Sequence, residues 1–308
     1  MLKAEHVACL LGAMMIAGGC HAAPRVAGDV PIADTRVFPE NIAASPDGTL
    51  WIGSVGRAAI YRALPNERTA TPWIAPGAHG LKRVMGLYHD GGRNLLWVCD
   101  AGERPAGGGK GKAFIRTFDP TTGAPRDSYP FEADGGCNDL TIAADGTVYV
   151  SDFENARIFR LKPGEKALTP WLADERLAAV DGLAFLADGA LYANTFREGG
   201  LYRIHVNADG RPGSPAKLTV SQALERPDAM RAIGPDTLLV AEGGGRISAV
   251  TIRGDHATVR VVREGLTDGP AAAVLVGDTV YAVQAKFAKM RDPAADPGEF
   301  VVAAMPLQ

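Results

Sequence analysis

CNDLTIAADGTVYVSD, residues 137–152, consists of a short apolar run, an Asp-Gly turn, and a second run that ends on a carboxylate. Three other stretches share the run–turn–run build: PENIAASPDGTLWIGS at 39–54 and VDGLAFLADGALYANT at 180–195, both with Asp-Gly, and PDAMRAIGPDTLLVAE at 227–242, which turns on Gly-Pro-Asp. Asp-Gly suits a tight hairpin, because both central turn residues take positive φ at little cost. Features far apart within the unit share one offset. A shift of 98 residues carries Asp47-Gly48 onto Asp145-Gly146, Ile60-Tyr61-Arg62 onto Ile158-Phe159-Arg160, and Thr71-Pro72-Trp73 onto Thr169-Pro170-Trp171. A further 43 carries Asp145-Gly146 onto Asp188-Gly189 and Ile158-Phe159-Arg160 onto Leu201-Tyr202-Arg203. Looser copies at 85–100 and 270–284 bring the number of units to six. Repeats of about 40 to 50 residues with about four strands each are the signature of propeller blades, which bury their faces against one another. The sequence therefore predicts an all-β chain, a six-bladed β-propeller. Residues 29–38 belong to no unit and are expected to supply the outer strand that closes the last blade. No segment sustains a 3.6-residue period, and only short helical turns are expected, near 172–179 and 221–226.

At 308 residues the chain is long for one domain, but closed β architectures often reach this size, and residues 25–308 are expected to form one. The net charge of −3 leaves no basic field, which argues against nucleic acid as a partner. Residues 1–24 read as a targeting leader: Lys3 is followed by an apolar run at 7–19, too short to span a bilayer. Two processing routes stay open. One is cleavage after Ala22; the other is a lipoprotein signal over 1–19, with Ala17-Gly18-Gly19-Cys20 as the lipid-attachment box. Both imply export, to the periplasm or beyond. With Cys9 and Cys20 assigned to the leader, Cys99 and Cys137 remain, either as a disulfide or as two separate buried thiols.

Aligned on the turn, the four stretches put Glu40, Asn138, Asp181 and Asp228 at equivalent places. Equivalent positions on the inner strands of a propeller converge on its axis, so these four side chains would form an all-oxygen site for a hard divalent cation. Three carboxylates about 5 Å apart repel by about 3 kcal/mol per pair at an effective dielectric of 20, which calls for a cation or for raised pKa values. The blander alternative is that these residues line a wet channel. The second strands return to the same face, and Asp100, Asp152, Asn194, Glu242 and Gln284 end them, either at the rim or as turn caps. His79, Lys82 and Arg83 precede the second unit on that face. Arg83 and Asp152 are the candidates for substrate contact. The glycine-rich run at 106–113 lacks the Ser/Thr of a phosphate-binding loop and reads as a mobile insertion. The chain has no G-x-S-x-G, H-E-x-x-H or C-x-x-C, so serine-hydrolase and zinc-protease chemistry find no support.

The blade-start motifs FPENIA, CNDLTIAADG, VDGLAFLADG and RPDAM resemble those of the gluconolactonase/regucalcin (senescence marker protein) family. The wider group includes paraoxonases, diisopropyl fluorophosphatase and the strictosidine-synthase-like proteins. The resemblance implies a divalent ion, Ca²⁺ first and Mg²⁺, Mn²⁺ or Zn²⁺ otherwise, at the top of the central channel. Its ligands would be Glu40, Asn138, Asp181 and Asp228. It implies hydrolysis of a small-molecule lactone or ester, with Asp228 first and Asp181 second as the group that activates water. Two features depart from the pattern. Asp181 stands where relatives usually have Asn, and Met85 stands where a paraoxonase-like His would be. The rival readings are a non-catalytic propeller that binds a ligand or protein, and a strictosidine-synthase-like lyase or condensing enzyme.

Overall fold

A computed structural model describes residues 25, 27–103, 111–131 and 135–308. The leader with Cys9 and Cys20 lies outside the described residues, as does most of the glycine-rich insertion. The chain folds into six antiparallel sheets, each a blade whose strands pair in chain order from the axis outward. Blade one is Pro39–Ala44, Leu50–Ser54, Ala59–Ala63 and Thr71–Ile74. Blade two is Val84–Asp90, Leu95–Asp100, Phe114–Phe118 and Pro125–Pro130. Blade three is Cys137–Ile142, Val148–Asp152, Arg157–Leu161 and Thr169–Ala173. Blade four is Val180–Phe185, Leu191–Thr195, Gly200–Ile204 and the short Ala216–Lys217. Blade five is Pro227–Ala232, Thr237–Glu242, Arg246–Arg253 and His256–Arg263, with Thr219–Val220 added in parallel at its edge. Blade six is Pro270–Val276, Thr279–Gln284 and Val301–Pro306. Its outer strand is Val30–Pro31, with Val30 opposite Val302, so the N-terminal segment closes the ring as expected.

The first strands of successive blades touch all the way round. Burial falls outward: Leu50–Ser54 and Val148–Asp152 are wholly buried, whereas four successive residues of Pro125–Pro130 are exposed. This gradient explains why the inner strands read as continuous apolar runs. The core lies between blades. Leu87 and Val98 of blade two, for example, pack on Trp51 and Ile60 of blade one. Fully burying one such aliphatic side chain stabilises by about 1.5–3 kcal/mol. Helix is scarce, as expected. Glu175–Leu177 forms one 3₁₀ turn inside the 172–179 window, while 221–226 contains none. A four-residue helix at Phe287–Met290, absent from the sequence reading, stands in the connection that follows Gln284. Among the described residues no helix is long and apolar enough to cross a membrane.

Cys99 on the second strand of blade two and Cys137 at the start of blade three are joined in a disulfide, with Cα atoms 5.8 Å apart and both residues buried. The bridge closes a loop of 38 residues, for which loop-closure entropy gives about 4 kcal/mol. We expect Cys99→Ser to lower the unfolding free energy by ~2–4 kcal/mol in denaturant titration, and reductant to do the same to the wild type but not to the variant.

Candidate metal centre

All six first strands break register just after they begin, at Pro39/Asn41, Val84/Leu87, Cys137/Leu140, Val180/Leu183, Pro227/Met230 and Pro270/Ala272. In four blades the residue before the strand has left-handed φ: Phe38, Ala179, Arg226 and Gly269. A bulge inserts an unpaired residue and re-aims its side chain. Here the re-aimed residue is the second of each strand, so Glu40, Met85, Asn138, Asp181 and Asp228 face one cavity of about 530 Å³ at one end of the axis. Gly182 shows how closely the inner strands approach, since a Cβ there would lie 2.5 Å from the carbonyl oxygen of Asp228. Asn194 locks the same junction. Its Oδ1 accepts from Gly182 N–H at 3.0 Å, and its Nδ2 donates to the Asp228 carbonyl at 2.7 Å.

Glu40, Asn138, Asp181 and Asp228 are all buried. Burial is the first cause of a raised pKa at each of the three carboxyls. Asp181 and Asp139 add to it at Glu40, Asp228 and Asp139 at Asp181, and Glu40 and Asp139 at Asp228. Asp181 is hydrogen-bonded to Asn138 and to Asp228, and the latter contact raises Asp181 while lowering Asp228. Asp228 Oδ1 also accepts the Ala229 N–H at 3.0 Å, which fixes the carboxylate plane. Two carboxyl oxygens of this group have no hydrogen-bond partner among the described residues: Glu40 Oε2 and Asp181 Oδ1. No three His, Cys, Asp or Glu side chains among the described residues form a ready-made ligand cluster. What the axis offers is three carboxyls and an amide, with two oxygens left without a partner. Oxygen donors of this kind suit a hard divalent cation, and buried oxygens without partners are costly unless something binds them.

One residue further along the inner strands lies a second polar layer that the sequence reading missed. Asp139, buried, receives Arg231 in a two-pronged ion pair, Nη1 to Oδ2 at 2.7 Å and Nη2 to Oδ1 at 3.0 Å. Nη2 also donates to Asn41 Oδ1 and to the Leu87 carbonyl, each at 2.9 Å, and Nη1 donates to the Met230 carbonyl at 2.7 Å. Leu183 N–H reaches Asp139 Oδ2 at 3.3 Å. Arg231 also lines a second cavity, about 420 Å³, at the other end of the axis with Tyr88 and His89, so the clamp separates the two. Its signals in the sequence were a second acid directly after Asn138 and an arginine inside the inner-strand run PDAMRA.

The other candidates divide cleanly. Arg83 lines the upper cavity and donates Nε to the Gly102 carbonyl at 2.9 Å. Asp152 does not line it: its carboxylate is fully buried, accepting from Gly136 N–H and paired with Arg157. Asp100 and Glu242 are latched in the same way, to the loop leading into their own blade and to Arg116 and Arg246. Gln284 accepts from Asp268 N–H. These strand ends are turn-locking groups, the blander of the two expectations. His79 packs on Phe118 and Lys82 pairs with Glu103, both outside the cavity wall.

No protein-family model and no curated protein matches the chain. Solved structures do, at low identity. The Malassezia sympodialis allergen Mala s 1 superposes with a TM-score of 0.70 at 13% identity, covering 90% of this chain and 95% of its own. A luciferin-regenerating enzyme gives 0.65 at 15%, covering 92% and 96%. A gluconolactonase from Xanthomonas campestris gives 0.63 at 16%, covering 91% and 98%. The chain thus shares the six-bladed propeller fold of structural neighbours that include gluconolactonases.

Two outcomes follow from the electrostatics. Because the Asp181 pKa is raised on folding, its contribution to stability is present below the unfolded carboxyl range and lost as pH rises through the folded value. In chelator, Asp181→Asn should melt at least ~3 °C above wild type at pH 8 and converge with it near pH 4. Arg231→Met, which strands the buried Asp139, should cost ~3–5 kcal/mol in denaturant titration, and adding Asp139→Asn should restore part of it.

Proposed function

We propose that the chain is a metal-dependent hydrolase of lactones or related esters, with a hard divalent cation, Ca²⁺ first, held by Glu40, Asn138, Asp181 and Asp228. The observation that carries this reading is the pair of partnerless buried oxygens, Glu40 Oε2 and Asp181 Oδ1, among three carboxyls with raised pKa at the floor of the cavity. The likeness to gluconolactonase structures supports the lactone class, and the cavity volume is that of a small-molecule site. When bound, a divalent cation supplies Lewis acidity toward an ester carbonyl and favours the ionised carboxylates around it. Asp228 is the residue set up to take a proton from water. Its plane is fixed by Ala229 N–H and its backbone by Asn194, and a bound cation would offset the burial and the neighbouring carboxyls that raise its pKa. Asp181 comes second. The Asn138 amide orients Asp181, and Met85 contributes apolar wall where a histidine relay would otherwise stand. The buried disulfide accords with an oxidising compartment, and N-terminal sequencing of the mature chain separates cleavage after Ala22 from processing at Cys20.

The test is a panel of sugar lactones, acyl lactones and aryl esters, assayed with chelator and after restoring Ca²⁺. Turnover should vanish with chelator and return with the ion. Asp228→Asn should cut kcat by ~10²–10⁴ with KM changed only a few-fold, the pattern of a group acting in the transition state. Turnover that survives both chelation and this substitution would leave the propeller as a binding module.

A further inference from the structure

The upper cavity is walled in part by chain that four other blades lack. In blade six, residues 285–300 join the second strand to the third, whereas the same connection takes four residues in blades one, three and four and three in blade five. Loops lengthened on the site face of a rigid scaffold are where recognition groups are placed. This one is fastened by Lys286, at φ 53°, whose ammonium donates to the carbonyls of Pro297 and Glu299 at 3.0 and 2.8 Å. It brings Lys289 and Arg291 into the cavity wall. Lys289 lies 4.0 Å from Asp268, and Arg291 has no carboxylate partner among the described residues. From blade five comes Arg226, two residues before Asp228. It holds a left-handed backbone, φ 52°, a conformation that disfavours a residue with a side chain. Its guanidinium donates to the Gly243 carbonyl and has no carboxylate partner among the described residues. Arg83 completes the basic wall from blade two.

Above the axial carboxyls the wall thus carries five cations against Glu154 and Asp268, in a chain whose net charge is −3. Positive charge gathered from three blades around one concave mouth is a field for an anion. Guanidinium groups without a carboxylate of their own are suited to hold a carboxylate or phosphate by paired hydrogen bonds. We infer that the substrate carries an anionic group, carboxylate or phosphate, remote from the bond that is cut, and that Arg226 and Arg291 hold it at the mouth. Combined with the proposed hydrolysis, on which the word "substrate" rests, the class is lactones whose far end is charged rather than neutral sugar lactones.

The inference can be tested without turnover. Titration calorimetry with Ca²⁺ present would compare D-glucarate and 6-phospho-D-gluconate with D-gluconate, which has a neutral far end. At least one of the two with a charged far end should bind about tenfold tighter than gluconate, with the difference shrinking as salt is raised. Which of the two binds tighter identifies the anion. Arg226→Gln and the exposed Arg291→Glu should each erase most of the preference. Equal or tighter binding of gluconate, no binding of any of the three, or a preference untouched by both substitutions would overturn the inference. Parallel assays on the corresponding lactones keep the two readings apart. Preference for a charged far end without hydrolysis of any lactone retires the hydrolase and leaves the anion site standing. Hydrolysis of gluconolactone without that preference does the reverse.

Discussion

One guanidinium ties the inner ends of five blades together. Arg231 of blade five bonds to Asp139 of blade three, Asn41 of blade one and the Leu87 carbonyl of blade two, and Asp139 takes the Leu183 N–H of blade four. A propeller's inner strands have no partner on their axial side, so their spacing rests on blade-to-blade packing alone unless something crosses the channel. A buried ion pair is a poor source of net stability, because desolvation offsets most of the attraction. Its contribution here is geometric: five oxygen acceptors, counting Met230 O, are satisfied only at one diameter of the ring. Asn138 and Asp181 sit one and two chain positions from Asp139 and Leu183, so the spacing of the cavity floor is inherited from the clamp below it.

That arrangement also explains what the sequence did and did not reveal. The propeller was legible because its signals recur: Asp-Gly turns, apolar inner strands and shared offsets. Glu40, Asn138, Asp181 and Asp228 were legible for the same reason, since a bulge repeated in every blade aims the same strand position at the axis. Asp152 shows the limit of that logic. It recurs with Asp100 and Glu242, but recurrence at a strand end marked a latch to the adjoining loop rather than the cavity rim. Arg231 shows the opposite limit. It occurs once, at a position where the other blades have no arginine, so a repeat-based reading passes over it. The insertion at 285–300 escaped for the same reason, being defined by its departure from the repeat.

The disulfide and the strand-end latches act on a different scale from the clamp. Asp100, Asp152 and Glu242 each fasten a lead-in loop to its own blade, just ahead of the bulge that aims the site position. Cys137 is both the partner of Cys99 and the neighbour of Asn138, so the bridge holds blades two and three beside the site. Local fasteners thus set each side chain's direction, and the clamp sets the distance between them.

The closing pair, Val30 with Val302, has a consequence for how the chain becomes a protein. Its two members are nearly the whole chain apart, and contacts of such separation are the last and slowest to form. Until they meet, Val301–Pro306 is the bare edge of a three-stranded sheet, with unpaired backbone groups open to any other strand. Blade six therefore cannot be completed by a chain emerging from its N-terminus. Before closure the half-made ring is a species prone to pairing with its own copies through that edge, which a holding chaperone would cover.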